Sequence, residues 1–221
     1  MNNDLTEIAY ILDRSGSMQG MVAPAITGFN QFLQEQCNAH GSARLTLVLF
    51  DNEYKVPHKS VPIEQVPELT TKTYQPGAST ALLDAIGRTI NELGERLAAT
   101  QEADRPGHVI VVIFTDGLEN SSTQFTWQQI SDMIKHQREK YSWKFMFLAA
   151  NQDAIATASK ISIDRDYAGR VSASYKGFSS FSPGISRKLS SLRKSFSTGE
   201  RDIDYDTSLQ EIVADEESKR P

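Results

Sequence analysis

The sequence predicts an α/β fold: a doubly wound, mostly parallel β-sheet covered by helices on both faces. Three observations carry that expectation. Residues 7–12, 44–50, 108–115 and 143–150 are nearly continuous apolar runs, and strands apolar on both sides belong in the middle of a covered sheet. Segments with helical apolar spacing separate most of these runs, and alternation of this kind implies parallel strands joined by crossover helices. The 221 residues are 39% hydrophobic and 23% charged, a balance suited to a globular domain with a substantial core.

Each element follows in order. The first strand, "EIAYIL", ends at Asp13. Val22, Ile26, Phe29 and Leu33 recur at helical spacing, and Pro24 suits a helix's first turn. The strand "RLTLVLF" comes next. Residues 53–63, "EYKVPHKSVPI", alternate only weakly and contain Pro57 and Pro62, which confines such a strand to a sheet edge. Leu82, Ile86, Ile90, Leu93 and Leu97 mark a second helix, before the strand "HVIVVIFT". Trp127, Ile130, Ile134 and Tyr141 mark a third, followed by "WKFMFLAA" and a short helix.

The C-terminal part differs in composition. Residues 172–201 are rich in serine and basic side chains, yet Phe181, Ile185, Leu189, Leu192 and Phe196 keep helical spacing. One amphipathic helix is therefore expected to pack on a domain of residues 1–171, with Pro183 near the helix start. Arg187, Lys188, Arg193 and Lys194 are read as a solvated face of that helix, able to attract acidic residues. Residues 202–221 are mostly polar and acidic and are expected to form a mobile tail.

Composition narrows the function classes. The net charge of -5 argues against nucleic-acid binding, which needs clustered positive charge. Cys37 is the only cysteine, so no intramolecular disulfide or thiolate-based metal site can form. No apolar stretch approaches the roughly 20 residues of a membrane span. The start of the chain lacks a basic segment followed by an apolar signal core, so a cytoplasmic, reducing location is expected.

Three polar loops fall where an open α/β sheet binds ligands, outside the carboxyl ends of its strands. "DRSGS" (13–17) follows the first strand, "PGAST" (76–80) precedes the second helix, and "TDGLENSS" (115–122) follows the strand "VIVVIF". Together they offer the carboxylates Asp13 and Asp116 and the hydroxyls Ser15, Ser17 and Thr80. All are hard oxygen donors, which suits Mg²⁺ or Mn²⁺, with octahedral coordination favouring magnesium. Two carboxylates offset the ion's charge, and the hydroxyls add ligands without adding charge. Taken singly, each loop is an ordinary turn or helix cap; the combination is what points to an ion. Glu119 reads as a solvated carboxylate, and Asp84 as a structural residue of the second helix. His40, His58, His108 and His136 share no ligand spacing.

The set "DRSGS", the threonine of "GAST" and "TDG" resembles the metal-ion-dependent adhesion site of von Willebrand factor type A domains. The resemblance covers about residues 4–168. It implies a six-stranded sheet of Rossmann-like type with one antiparallel edge strand. It also implies that Ser15, Ser17 and Thr80 coordinate the ion directly or through water, and that Asp13 and Asp116 bind it or orient its waters. The loop before Thr80 carries Ala78 and Ser79 where the family is usually glycine-rich, which makes Ser79 the stand-in for Thr80. The implied function is protein binding without catalysis. A partner's Asp or Glu would complete the coordination, as in family members that serve multi-protein assemblies and ATP-driven machines. Two other readings stand beside it: a magnesium-dependent hydrolase or phosphotransferase, and an ion that merely ties three loops together. The enzyme reading lacks a phosphate-binding loop, and Glu119 is its sole candidate base at the three loops.

Overall fold

The strand β1 (Asn2–Asp13) runs through the middle of a six-stranded sheet ordered β3-β2-β1-β4-β5-β6. The computed structural model describes residues 1–150, 153–172 and 175–219, and omits the side chains of 175–180. Positions 173–174, within the expected C-terminal helix, and 220–221, within the expected tail, lie outside the described residues. β2 (Ser42–Phe50), β4 (Pro106–Thr115), β5 (Lys144–Ala149) and β6 (Ala168–Arg170) run parallel to β1. β3 (Tyr54–Pro62) is the antiparallel edge strand. Its ladder shifts register on both sides of the Leu47–His58 pair. Pro57 lies in one shift and Ser60, at φ 52°, in the other, as befits an edge interrupted by a residue without an N–H.

The period-two geometry of a strand sorts the apolar runs onto two faces. Ile8, Tyr10 and Leu12 of β1 join Ile110, Val112 and Phe114 of β4 on one face. There they meet Phe29, Phe32 and Leu33 of α1 (Val22–Cys37) and Phe181, Ile185 and Leu189 of α5 (Tyr175–Thr198). Ala9 and Ile11 join Val111 and Ile113 on the other face, under α2 (Leu82–Ala99), α3 (Trp127–Tyr141) and α4 (Ala154–Lys160). β6 has three residues, too few for any periodicity to announce it.

The C-terminal region departs from the sequence expectation in three ways. Residues 203–218 form two helices, α6 (Ile203–Asp206) and α7 (Leu209–Ser218), in place of a mobile tail. Leu209, Ile212 and Val213 are at most 1% exposed, because those three apolar residues share one face of an otherwise acidic helix. Ser208 starts that helix with a reciprocal cap to Glu211, a strong initiation signal. Pro183 lies well inside α5, not near its start.

The basic face is not solvated throughout. Arg193 is buried and donates to the Gln36 and Gly41 carbonyls at 2.7 Å, satisfying acceptors at the end of α1. Lys188 is buried as well, and its ammonium donates to the carbonyls of Asp204, Tyr205 and Thr207. Arg187 pairs with Asp204, Asp215 and Glu216, so basic helix and acidic segment do attract each other.

Candidate metal centre

The chain reverses its direction of travel across the sheet between β1 and β4: β2 and β3 extend one way, β5 and β6 the other. Ligand sites of open α/β sheets form at such a switch point. Asp13 is the last residue of β1, opposite Phe50 of β2, and Thr115 is the last of β4. The loops that follow these strands therefore start side by side.

Asp13 is fully buried. Its Oδ1 accepts the Ser15 N–H at 2.6 Å, and its Oδ2 accepts the Thr115 hydroxyl at 2.5 Å. The Ser15 and Ser17 hydroxyl oxygens lie 3.0 Å apart, and Ser17 donates to Asp116 Oδ1 at 2.6 Å. Thr80 joins the group beside Gly117. A Cβ at position 117 would fall 2.9 Å from Thr80 Oγ1 and 3.5 Å from Ser17 Oγ, so glycine there lets the two hydroxyls close on the same space. The structure thus brings all five candidate residues together. Thr80 is buried at 3% exposure, with its hydroxyl against Gly117, and Ser79 is half-buried beside it.

Second contacts explain why the loops hold this shape. Arg14, inside the first loop, turns its guanidinium away to Asp51 Oδ1 and Glu53 Oε2, both at 3.0 Å, and to the Gln75 carbonyl. Its own carbonyl accepts the Gly77 N–H at 2.6 Å, and Gly16 N–H donates to the Ala78 carbonyl at 2.7 Å. The first two loops are thereby stitched together. The space a side chain at 77 would need is filled by the Asp51 carboxylate, 1.6 Å from where its Cβ would lie. Asn120 exchanges two hydrogen bonds with the Thr80 backbone, which ties the second loop to the third.

Sequence reasoning left Thr115, Tyr74 and Arg14 unassigned. Thr115 orients Asp13, and the Tyr74 hydroxyl donates to the Asp13 carbonyl at 2.6 Å. The threonine of "TDG" was a usable signal; Tyr74, 61 residues from Asp13, had none. Glu119 is a correction. It is half-buried and accepts from the N–H groups of Leu83, Ser121 and Ser122 and from the Ser122 hydroxyl. The free N–H groups at the start of α2 draw it in. Asp84, in the first turn of α2, accepts from the N–H groups of Thr123, Gln124 and Phe125, the structural role expected of it.

The electrostatics mark the place as short of positive charge. Burial pushes the Asp13 carboxyl from the usual 3.8 up to about 6, only partly offset by the bonds from Thr115 and Ser15. Burial also raises Asp116. Among the described residues neither carboxylate has a salt-bridge partner, because the nearby Arg14 is spent on Asp51 and Glu53. Two desolvated carboxylates and three convergent hydroxyls, with no salt-bridged cation among the described residues, form a donor set that fits a small hard divalent ion. No group of three or more His, Cys, Asp or Glu that could hold a metal occurs among the described residues, so a metal here would depend on the hydroxyls.

Neither a protein-family model nor a curated protein matches the sequence. Solved structures do match in shape. Proximal thread matrix protein 1 from the mussel byssus superposes with a TM-score of 0.59 at 13% identity, over 80% of this chain and 46% of that one. A second structure of the mussel protein, at TM-score 0.58 and 12% identity over the same shares of the two chains, has a zinc-occupied metal-ion-dependent adhesion site. The manganese-loaded TRAP protein of Plasmodium vivax matches with a TM-score of 0.55 at 16% identity, over 77% of this chain and 69% of that one. A von Willebrand factor type A protein from Catenulispora acidiphila matches with a TM-score of 0.55 at 13% identity, over 84% of this chain and 42% of its own. This chain spans under half the length of the mussel and Catenulispora proteins. At such identities the likeness is one of fold: the chain has the von Willebrand factor type A fold.

Proposed function

We propose that this domain is a metal-dependent protein-binding module. Asp13, Ser15, Ser17, Thr80 and Asp116 would hold one Mg²⁺, with Mn²⁺ as a substitute, and a partner's Asp or Glu would complete the coordination. The observation that carries the reading is the pair of carboxylates, buried Asp13 and half-buried Asp116, set among three hydroxyls with no salt-bridge partner among the described residues. Because three of the five donors are neutral hydroxyls, a bound ion would keep more electrophilic strength toward an incoming carboxylate than one held by carboxylates alone. The manganese-loaded and zinc-occupied structures of similar fold support a divalent ion at this place.

Two features favour binding over the other readings. Ser17 is exposed, so an ion beside it is reachable from solvent and able to exchange a water, as a purely structural ion would not be. Glu119, the candidate general base at the three loops, is already committed to four hydrogen bonds, which disfavours a hydrolase or phosphotransferase that would use it. Among the described residues no helix is long and apolar enough to cross a membrane. We place the domain in the cytoplasm, as part of a multi-protein assembly or beside an ATP-driven machine.

The test is an affinity capture from native lysate with magnesium and again with chelator, alongside calorimetry of magnesium binding to the purified protein. Binding heat for wild type, none for Asp13→Ala, and a captured partner lost in chelator are expected. Equal heats for the two proteins would end the metal assignment, and hydrolysis of a generic phosphate ester would favour the enzyme reading.

A further inference from the structure

We infer that the partner segment carries an apolar side chain next to its acidic residue, and that Leu118 is the residue that recognises it. This rests on the metal-bridged reading above. Leu118 stands two residues beyond Asp116 and is 59% exposed. The other large apolar side chains exposed among the described residues are Met1, Tyr141 and Ile203, none of them in a loop of the site.

That exposure does not come from a slack loop, because the backbone is held on both sides of the leucine. Before it, the Gly117 N–H donates to Thr115 Oγ1 at 3.1 Å, and the same hydroxyl lies 3.2 Å from the Gly117 carbonyl. After it, Glu119 holds three N–H groups and Asn120 bonds the Thr80 backbone twice. The side chain is thus presented to water by a framework with little freedom to withdraw it. Folding leaves its hydrophobic burial unrealised, and a partner that covers it realises that gain.

The surroundings argue that the covering group is apolar. The exposed residues of "DRSGS" and "PGAST" are Gly16, Ser17, Gly77 and Ala78, all uncharged. Arg14, the cation nearest in sequence, is buried on Asp51 and Glu53. These loops therefore offer no salt bridge to a residue flanking the partner's carboxylate. They offer small neutral surface, with apolar area at Leu118. An apolar anchor at the edge of an ionic contact also excludes water from it, the arrangement found at interface hot spots, and strengthens the attraction by lowering the local dielectric.

The experiment is selection from a displayed library of short random peptides on the full chain, with magnesium present, for wild type and Leu118→Ser. Wild type should enrich peptides with an Asp or Glu beside Leu, Ile, Phe or Met. Leu118→Ser should keep the acidic residue and the magnesium requirement but lose the apolar preference. Its affinity for a wild-type-selected peptide should fall about tenfold, with Leu118→Met restoring most of it. Acidic, magnesium-dependent peptides with no apolar preference, or the same preference on Leu118→Ser, would overturn the role of Leu118 and leave the metal reading standing. Peptides selected equally well in chelator would overturn both.

Discussion

Asp13 is a carboxylate that folding buries at the end of an apolar strand, and its titration exposes what the site lacks. Its folded pKa of about 6 lies above the usual 3.8, so folding favours the protonated form. The stability this lends the metal-free protein is full below pH about 4 and lost as pH rises through about 6. Asp13→Asn should match wild type near pH 4 and become the more stable protein above pH 6, by at most about 3 kcal/mol. Saturating magnesium at pH 7 should reverse that order, since only wild type holds the ion. Melting curves of both proteins across this range check it, and a difference independent of pH would contradict it. Arg14 makes a second case. Asp51 is 3% exposed and its salt bridge is to Arg14, so Arg14→Met should cost roughly 3–5 kcal/mol through the uncompensated charge. It should also weaken magnesium binding, because Arg14 joins the first loop to the one carrying Thr80. Part of the stability should return in Arg14→Met/Asp51→Asn; denaturant titration of the four proteins of that cycle reads the coupling.

At the scale of elements, α7 closes the open edge of the sheet. The Gln210 side chain imitates a strand: its Oε1 accepts the Arg170 N–H at 2.7 Å and its Nε2 donates to the Arg170 carbonyl at 3.3 Å. Glu217 accepts the Ser172 N–H at 3.0 Å beyond the strand's end. An uncovered edge is a template for pairing with another chain. Deleting residues 207–221 should therefore have two effects. The loss of Leu209, Ile212 and Val213 from the core should lower Tm, because it uncovers the apolar surface they pack on. The exposed β6 edge should make the truncated protein associate with rising concentration, as sedimentation would show. A truncated protein that melts like wild type and stays monomeric would mean that α7 contributes neither cover nor core.

For the whole molecule, the core lies on both faces of the sheet and the candidate centre lies at its rim, so ion and fold are separable. Chelator should leave the far-ultraviolet circular dichroism intact. Magnesium at about one hundred times its dissociation constant should stabilise wild type by about 2.7 kcal/mol, a Tm gain of roughly 5–10 °C. Calcium should do less, since a hydroxyl-rich octahedral site is small. Unfolding on chelation would make the ion part of the fold.

The sheet, its helices and the edge position of β3 were legible in the sequence, because local patterns dictate them: two-sided apolar runs, helical spacing and two prolines. The meeting of Asp13, Ser15, Ser17, Thr80 and Asp116 at one rim was legible as well, since each stands at the end of a recognisable strand, in the loop after it, or at the head of a helix. What local pattern could not convey was long-range partnership. Lys188 and Arg193 look like solvent-facing cations along their own helix, yet they are buried because the carbonyls of residues distant in the chain end beside them. Leu209, Ile212 and Val213 are too few to stand out in an acidic segment, yet the groove beside β6 and α5 selects that face. Glu119 and Tyr74 took their roles from backbone groups that only the folded chain brings within reach. Alternation and helical spacing are local and survive in the sequence. The burial of a charge is settled by which distant acceptors surround it, and that is a property of the tertiary structure alone.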